Sequence, residues 1–191
     1  MSERASNPSR QPSPTSGNAL ARPTVQQLIE RFQMQPLPEE GGMYVQSYLS
    51  ADLLPADALP ARYPSASKPA GTAIYYLLTS EANSFSALHR LPTDEIYHFY
   101  LGDPMETLLL FPDGTSRIEV IGPDVMAGQH VQFVVPAGVW QGSAVIPGGE
   151  YTLIGTTMAP GYTMPDYEGG VRDELIARYP DHAERIHRLT R

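Results

Sequence analysis

The chain has 191 residues, 41% of them apolar and 18% charged, with a formal charge of −8 and no cysteine. That length suits one domain with a substantial core, and the missing cysteines exclude disulfides, thiolate nucleophiles and cysteine-ligated zinc. Arg4, Arg10 and Arg22 against Glu3 make the N-terminal stretch basic, so the rest is more acidic than the total implies, and nucleic acid is not an expected partner.

Residues 1–22 are rich in Ser, Pro, Asn and Arg and nearly free of bulky apolar side chains, so a disordered tail is expected there, followed by a single domain over 23–191. The N-terminus has no apolar signal core, and no apolar run approaches the roughly 18–20 residues that span a bilayer, so no membrane association and a cytoplasmic location are expected. Thr24 is placed to cap a short helix whose stripe is Val25, Leu28, Ile29 and Phe32. The breaker-rich link from Gln35 to Gly42 ends it. Within that link Glu39-Glu40-Gly41-Gly42 reads as a positive-φ turn or as a lid over a pocket. Met43 to Ser50 has strand composition, and Ala51 to Pro69 is a loose surface excursion.

From Thr72 onward strands are predicted at short spacing: Thr72–Thr79, Phe85–Leu91, Glu95–Leu101, Glu106–Phe111, Arg117–Ile121, Val131–Val135, Trp140–Ile146 and Tyr151–Met158. Turn signals such as Pro112-Asp113-Gly114 and Pro147-Gly148-Gly149 separate them. Many short strands without a long intervening helix predict an all-β sandwich or barrel. Two short helices, Asp173 to Arg178 and Asp181 to Leu189, are expected to pack outside it.

Chemistry concentrates between Ser84 and Gly102. Side chains alternate across a strand, so His89 shares a face with Ala87 and Leu91, and Glu95 shares one with Tyr97, Phe99 and Leu101. Pro92-Thr93-Asp94 is short enough to join the two strands as a hairpin, which would bring His89 and Glu95 together inside the barrel. A buried carboxylate beside an imidazole is a metal site, a proton-transfer pair or a structural hydrogen bond. His98 points outward by the same parity; a bulge near Ile96 would turn it inward as a further imidazole ligand. Neither a glycine-rich phosphate cradle nor a Gly-x-Ser-x-Gly elbow is present.

The spacing from His89 through Glu95 to Gly102 resembles the first cupin motif. Pro136-Ala137-Gly138-Val139-Trp140-Gln141 resembles the second, in which the family usually carries a histidine where Gln141 stands. More narrowly, the chain resembles the cupin group DUF985 (Cupin_5). The matching pieces are Glu40-Gly41-Gly42 with Tyr44 and Tyr48, Thr72 to Leu78, His89-Arg90, Asp94-Glu95 with His98-Phe99-Tyr100, and Ala159-Pro160-Gly161-Tyr162. The resemblance implies a double-stranded β-helix (jelly-roll barrel), commonly paired into homodimers, with an interior pocket. It places His89 and Glu95 at ligand positions, with Leu91 and Gln141 where two histidines would stand. Leucine cannot coordinate a metal and a glutamine oxygen is a weak donor, so no tightly bound metal is expected. A divalent ion held loosely by His89, Glu95 and Gln141, or by His98, is the alternative.

Without a metal, His89 and Glu95 are the candidate catalytic pair, with Glu95 fixing the imidazole tautomer. Gln141, Tyr76 and Tyr97 are candidate hydrogen-bonding groups for a substrate. Phe99 and Trp140 either stack on a substrate ring or belong to the core. This pattern resembles the metal-independent sugar-nucleotide epimerases of the cupin superfamily. The expected function is small-molecule binding, with isomerase or epimerase chemistry on a carbohydrate-like or carbonyl-containing substrate. A metal-dependent, dioxygenase-like enzyme and a non-catalytic binding module are the alternatives. Aromatic strand faces such as Tyr75 and Tyr100 suit pairing into a homodimer.

Overall fold

The computed structural model describes residues 21–63 and 67–191. The tail expected over residues 1–22 therefore lies outside the described residues except for its last two. One of these is engaged with the domain: the Arg22 guanidinium makes two bonds to the Asp103 carboxylate, at 3.0 and 2.6 Å, and lies over the Tyr151 ring.

The chain begins with helix α1 (Val25–Phe32). Its first turn is closed by a capping box: the Gln27 amide N–H donates to Thr24 Oγ1 while the Thr24 N–H donates to the Gln27 side chain. Gln33 adopts the left-handed conformation that ends it. Strands β1 (Gln35–Pro36), β2 (Met43–Leu49), β3 (Leu53–Leu54) and β4 (Lys68–Pro69) follow. The segment expected to be a loose excursion thus carries a small β3–β4 ladder. The main strands are β5 (Thr72–Thr79), β6 (Ser86–Arg90), β7 (Glu95–Gly102), β8 (Met105–Leu110) and β9 (Ser116–Ile121). They continue with β10 (Gln132–Val135), β11 (Trp140–Val145), β12 (Tyr151–Met158) and the short β13 (Glu168–Gly169). Helices α2 (Arg172–Arg178) and α3 (Ala183–Arg188) close the chain.

The strands form two antiparallel sheets, ordered β1-β2-β5-β12-β7-β10 and β13-β6-β11-β8-β9. This is an all-β jelly roll of the cupin type, with a short N-terminal helix and C-terminal helices outside it. The predicted hairpin between β6 and β7 does not form. Pro92-Thr93-Asp94 turns a corner between sheets, so β6 pairs with β11 and β13 while β7 pairs with β12 and β10.

Three apolar layers follow from strand alternation. Tyr76, Leu78, Tyr97, Leu109, Phe133 and Ile154 fill the space between the sheets. Leu88, Leu108 and Trp140 on the outer face of the five-stranded sheet meet Leu175, Tyr179 and Ile186 of α2 and α3. Leu77 and Leu153 on the other outer face receive Leu28 and Met34 from α1 and the residues just after it. A buried leucine of this kind is worth about 1.5–3 kcal/mol. The six-stranded sheet is not fully covered: Tyr100, Leu101, Val131 and Val134 stay exposed. Among the described residues no helix is long and apolar enough to cross a membrane.

Candidate functional site

His89 and Glu95 meet inside the sandwich, from opposite sheets rather than from one hairpin. Gln141 lies directly across from His89 in the β6–β11 pairing. Its amide Nε2 donates to Glu95 Oε2 at 2.7 Å across the barrel and sits 3.4 Å from His89 Nε2. All three are buried, with exposures of 1% for His89, 7% for Glu95 and 1% for Gln141.

The imidazole is held differently from the expectation. His89 Nδ1 donates to the Ala87 carbonyl at 2.8 Å, so the backbone of its own strand sets the tautomer, not Glu95. Nε2 is thereby left with its lone pair. The ring also stacks on Tyr167, centroids 5.3 Å apart, just before β13 adds to the β6 edge. Burial pushes the Glu95 carboxyl above its ordinary range, and the nearby Glu40 adds to this; His89 and the hydrogen bonds from Thr156 and Gln141 oppose it.

These groups border a cavity of about 520 Å³. His89, Leu91 and Glu95 form its inner end. Gln35, Leu37, Tyr44 and Gln46 wall one side, and Thr72, Ile74, Thr156 and Met158 the sheet side. Tyr162, Thr163 and Met164, from the loop after β12, wall the mouth. Tyr44, Thr72, Ile74 and Tyr162 belong to pieces that carry the family resemblance, but Gln35, Leu37, Gln46, Thr156, Met158, Thr163 and Met164 carried no signal in the sequence beyond strand or loop context.

Glu40 is a site residue that the sequence reading did not assign. The Glu39–Gly42 segment is a turn, with φ of 65° at Glu39, 103° at Gly41 and 68° at Gly42, and it also lays Glu40 against the cavity. The turn bridges both sheets. Tyr76 Oη donates to the Gly41 carbonyl at 3.0 Å, the Ala87 N–H to the Glu40 carbonyl at 2.8 Å, and Ser86 Oγ to Glu40 Oε1 at 2.7 Å. Arg191, from the far end of the chain, donates to the Glu39 carbonyl at 2.9 Å and lies over Phe85. A Cβ at Gly41 would come within 2.4 Å of the Phe85 carbonyl oxygen, so only glycine fits this approach.

The remaining candidates sort by strand face. Tyr76 and Tyr97 are core residues in the packed layer, and Phe99 packs against the same layer, so none of the three walls the cavity. Trp140 faces away from it, against α2 and α3 and under the Arg90 guanidinium, which is the packing of the core alternative for this residue. Gln141 lies outside the cavity wall, bonded to Glu95 and beside His89. His98 faces outward, 3.3 Å from Thr157 Oγ1 and stacked on Tyr100. The β7 register shift falls opposite Leu153 and Ile154, near Tyr100 rather than Ile96, so it does not bring His98 inside.

The donor set does not fit a tightly held metal. Leu91 occupies one wall position, and Gln141 turns its amide hydrogens toward Glu95. Turning the amide over would set its carbonyl against the lone pair of His89 Nε2. Among the described residues no group of three or more His, Cys, Asp or Glu side chains is arranged to hold a metal ion.

Two facing antiparallel sheets around a buried His–Glu pair define a cupin-type barrel. The chain belongs to the Cupin_5 family of the cupin superfamily (DUF985), whose profile matches residues 26–169. It is similar to a hypothetical protein from Leishmania major, 30% identical, with a TM-score of 0.77 over 88% of this chain and 99% of that one. A protein from Shewanella oneidensis is 30% identical, with a TM-score of 0.76 over 88% of this chain and 98% of that one. An uncharacterized protein of Saccharomyces cerevisiae is 27% identical over 151 residues, covering 75% of this chain and 74% of that protein.

Proposed function

We propose that the cavity binds a small carbohydrate-like or carbonyl-containing molecule and isomerises or epimerises it by metal-independent proton transfer. The observation that carries this reading is the pairing of an imidazole that carries its lone pair at Nε2, met there only by a long 3.4 Å contact from the Gln141 amide, with a carboxyl that burial pushes above its ordinary range. In such a pair His89 Nε2 removes a proton from the carbon next to the substrate carbonyl. The protonated Glu95 donates to the carbonyl oxygen, giving a neutral enol. In an enediol the imidazolium then returns its proton to the former carbonyl carbon while the neighbouring hydroxyl gives its proton to Glu95, so the carbonyl moves one carbon along and both groups are restored. Gln141 keeps the two side chains apart and aligned.

Exposed Tyr100 and Val134 on the uncovered sheet face support pairing of two copies there. The cysteine-free chain is suited to work in the reducing cytoplasm. The test is NMR-monitored exchange of carbon-bound hydrogen with deuterium from solvent, across a panel of aldoses and ketoses. Exchange in the wild type that is lost in His89→Ala supports catalysis. Binding without exchange would assign the cavity to a non-catalytic module.

A further inference from the structure

The cavity is rich in hydrogen-bond acceptors and has no cationic side chain in its described wall. Glu40 and Glu95 both face it, and His89 Nε2 is a third acceptor. The Gln141 carbonyl oxygen, buried beside the same pair, has no hydrogen-bond partner. Lys68 is buried nearby but is held in an ion pair with Asp166. The aromatic side chains of Tyr44 and Tyr162 complete the wall around Glu40. The Glu40 carboxylate, with no cation in the wall to offset it, disfavours any anion, and a carboxylate with aromatic faces is the chemistry that recognises an ammonium group.

We infer that the ligand of this cavity is a hydroxylated small molecule carrying a protonated amine, with the ammonium seated at Glu40 and the hydroxyl or carbonyl end at His89 and Glu95. Phosphorylated and carboxylated sugars are rejected, because the wall offers them no counter-charge. The inference rests on the cavity being the ligand site proposed above, and it does not depend on turnover. Proximity of Glu40 also shows in Tyr162 of the same wall, whose hydroxyl is pushed well above its ordinary value by burial and then by Glu40.

Isothermal titration of the full-length protein with glucosamine, glucose and glucuronate tests it, at a pH where the amine is protonated. Glucosamine should bind about tenfold or more tighter than glucose, as one charge-assisted hydrogen bond provides, with glucuronate weakest. Glu40→Gln should erase the preference, and added salt should weaken glucosamine alone. The salt series needs no variant and so stands even where the substitution unfolds the turn. Glucose or glucuronate binding as well as glucosamine, or a preference that survives both Glu40→Gln and salt, overturns the charge selection. If in that case His89→Ala still abolishes binding, the cavity remains the ligand site. Absence of binding by all three probes, or binding untouched by His89→Ala, removes both.

Discussion

The Lys68–Asp166 pair tests how the cavity mouth is built. Both residues are nearly inaccessible, at 1% and 4% exposure, and they lie 98 residues apart in the chain. Asp166 Oδ2 accepts from the Lys68 ammonium, from the Thr163 N–H at 2.7 Å and from Thr163 Oγ1 at 3.0 Å, while its other oxygen has no partner. Asp166→Asn leaves the ammonium buried with little to neutralise it. Such a break costs about 3–5 kcal/mol, whereas replacing both charges by apolar residues of similar volume costs much less. Urea unfolding of Asp166→Asn, Lys68→Met and the double variant Lys68→Met/Asp166→Leu measures this directly. Each single change should lower stability by about 3–5 kcal/mol, and the double variant should recover most of it. Single changes costing under about 1 kcal/mol, or a double variant that loses the sum, would refute the reasoning. Because Thr163 walls the cavity, Asp166→Asn should also weaken ligand binding.

Glu95→Gln should stabilise the protein at neutral pH. The folded carboxyl titrates above its reference value of 4.5, so the protonated form favours the fold and ionisation works against it as pH rises past that value. The advantage of the variant in urea midpoint should grow from acid to neutral pH, by about 1.4 kcal/mol for each pH unit between the folded and unfolded midpoints. An advantage independent of pH would contradict the burial argument. Trp140→Phe should cost roughly 1–3 kcal/mol in stability while ligand affinity holds within about twofold, since the ring packs on α2 and α3 and not on the cavity. Arg22→Ala should cost about 0.5–1 kcal/mol, because the pair with Asp103 is partly exposed. Asp103 is held down to about 2, so this contribution is present above its ordinary 3.8 and vanishes as pH falls through about 2; urea midpoints of the two proteins should converge there.

The eight main strands were legible because each is a short β-rich run between Gly and Pro turns, and β5 and β12 match their predicted limits residue for residue. Alternation alone also held enough to place Trp140 outside once Gln141 was inside, since adjacent residues point to opposite faces. Strand pairing was less legible. A three-residue link permits a hairpin, yet Pro92-Thr93-Asp94 connects two sheets, and nothing local distinguishes the two outcomes. The pair His89–Glu95 converges all the same, because a jelly roll faces its sheets toward each other. The tautomer rests on the Ala87 carbonyl, a backbone contact invisible to side-chain patterns. Glu40, Tyr162 and Thr163 reach the cavity only through the order of the sheets and the loop after β12, and Lys68 meets Asp166 by the same long-range folding.

The tautomer of His89 is the most direct measure of the proposed chemistry. Nitrogen-15 NMR of the imidazoles in the full-length protein should show His89 protonated at Nδ1, with Nε2 unprotonated and shifting when a ligand enters the cavity. A proton found on Nε2 in the free neutral ring, or a His89 signal that ignores every bound ligand, would contradict the account.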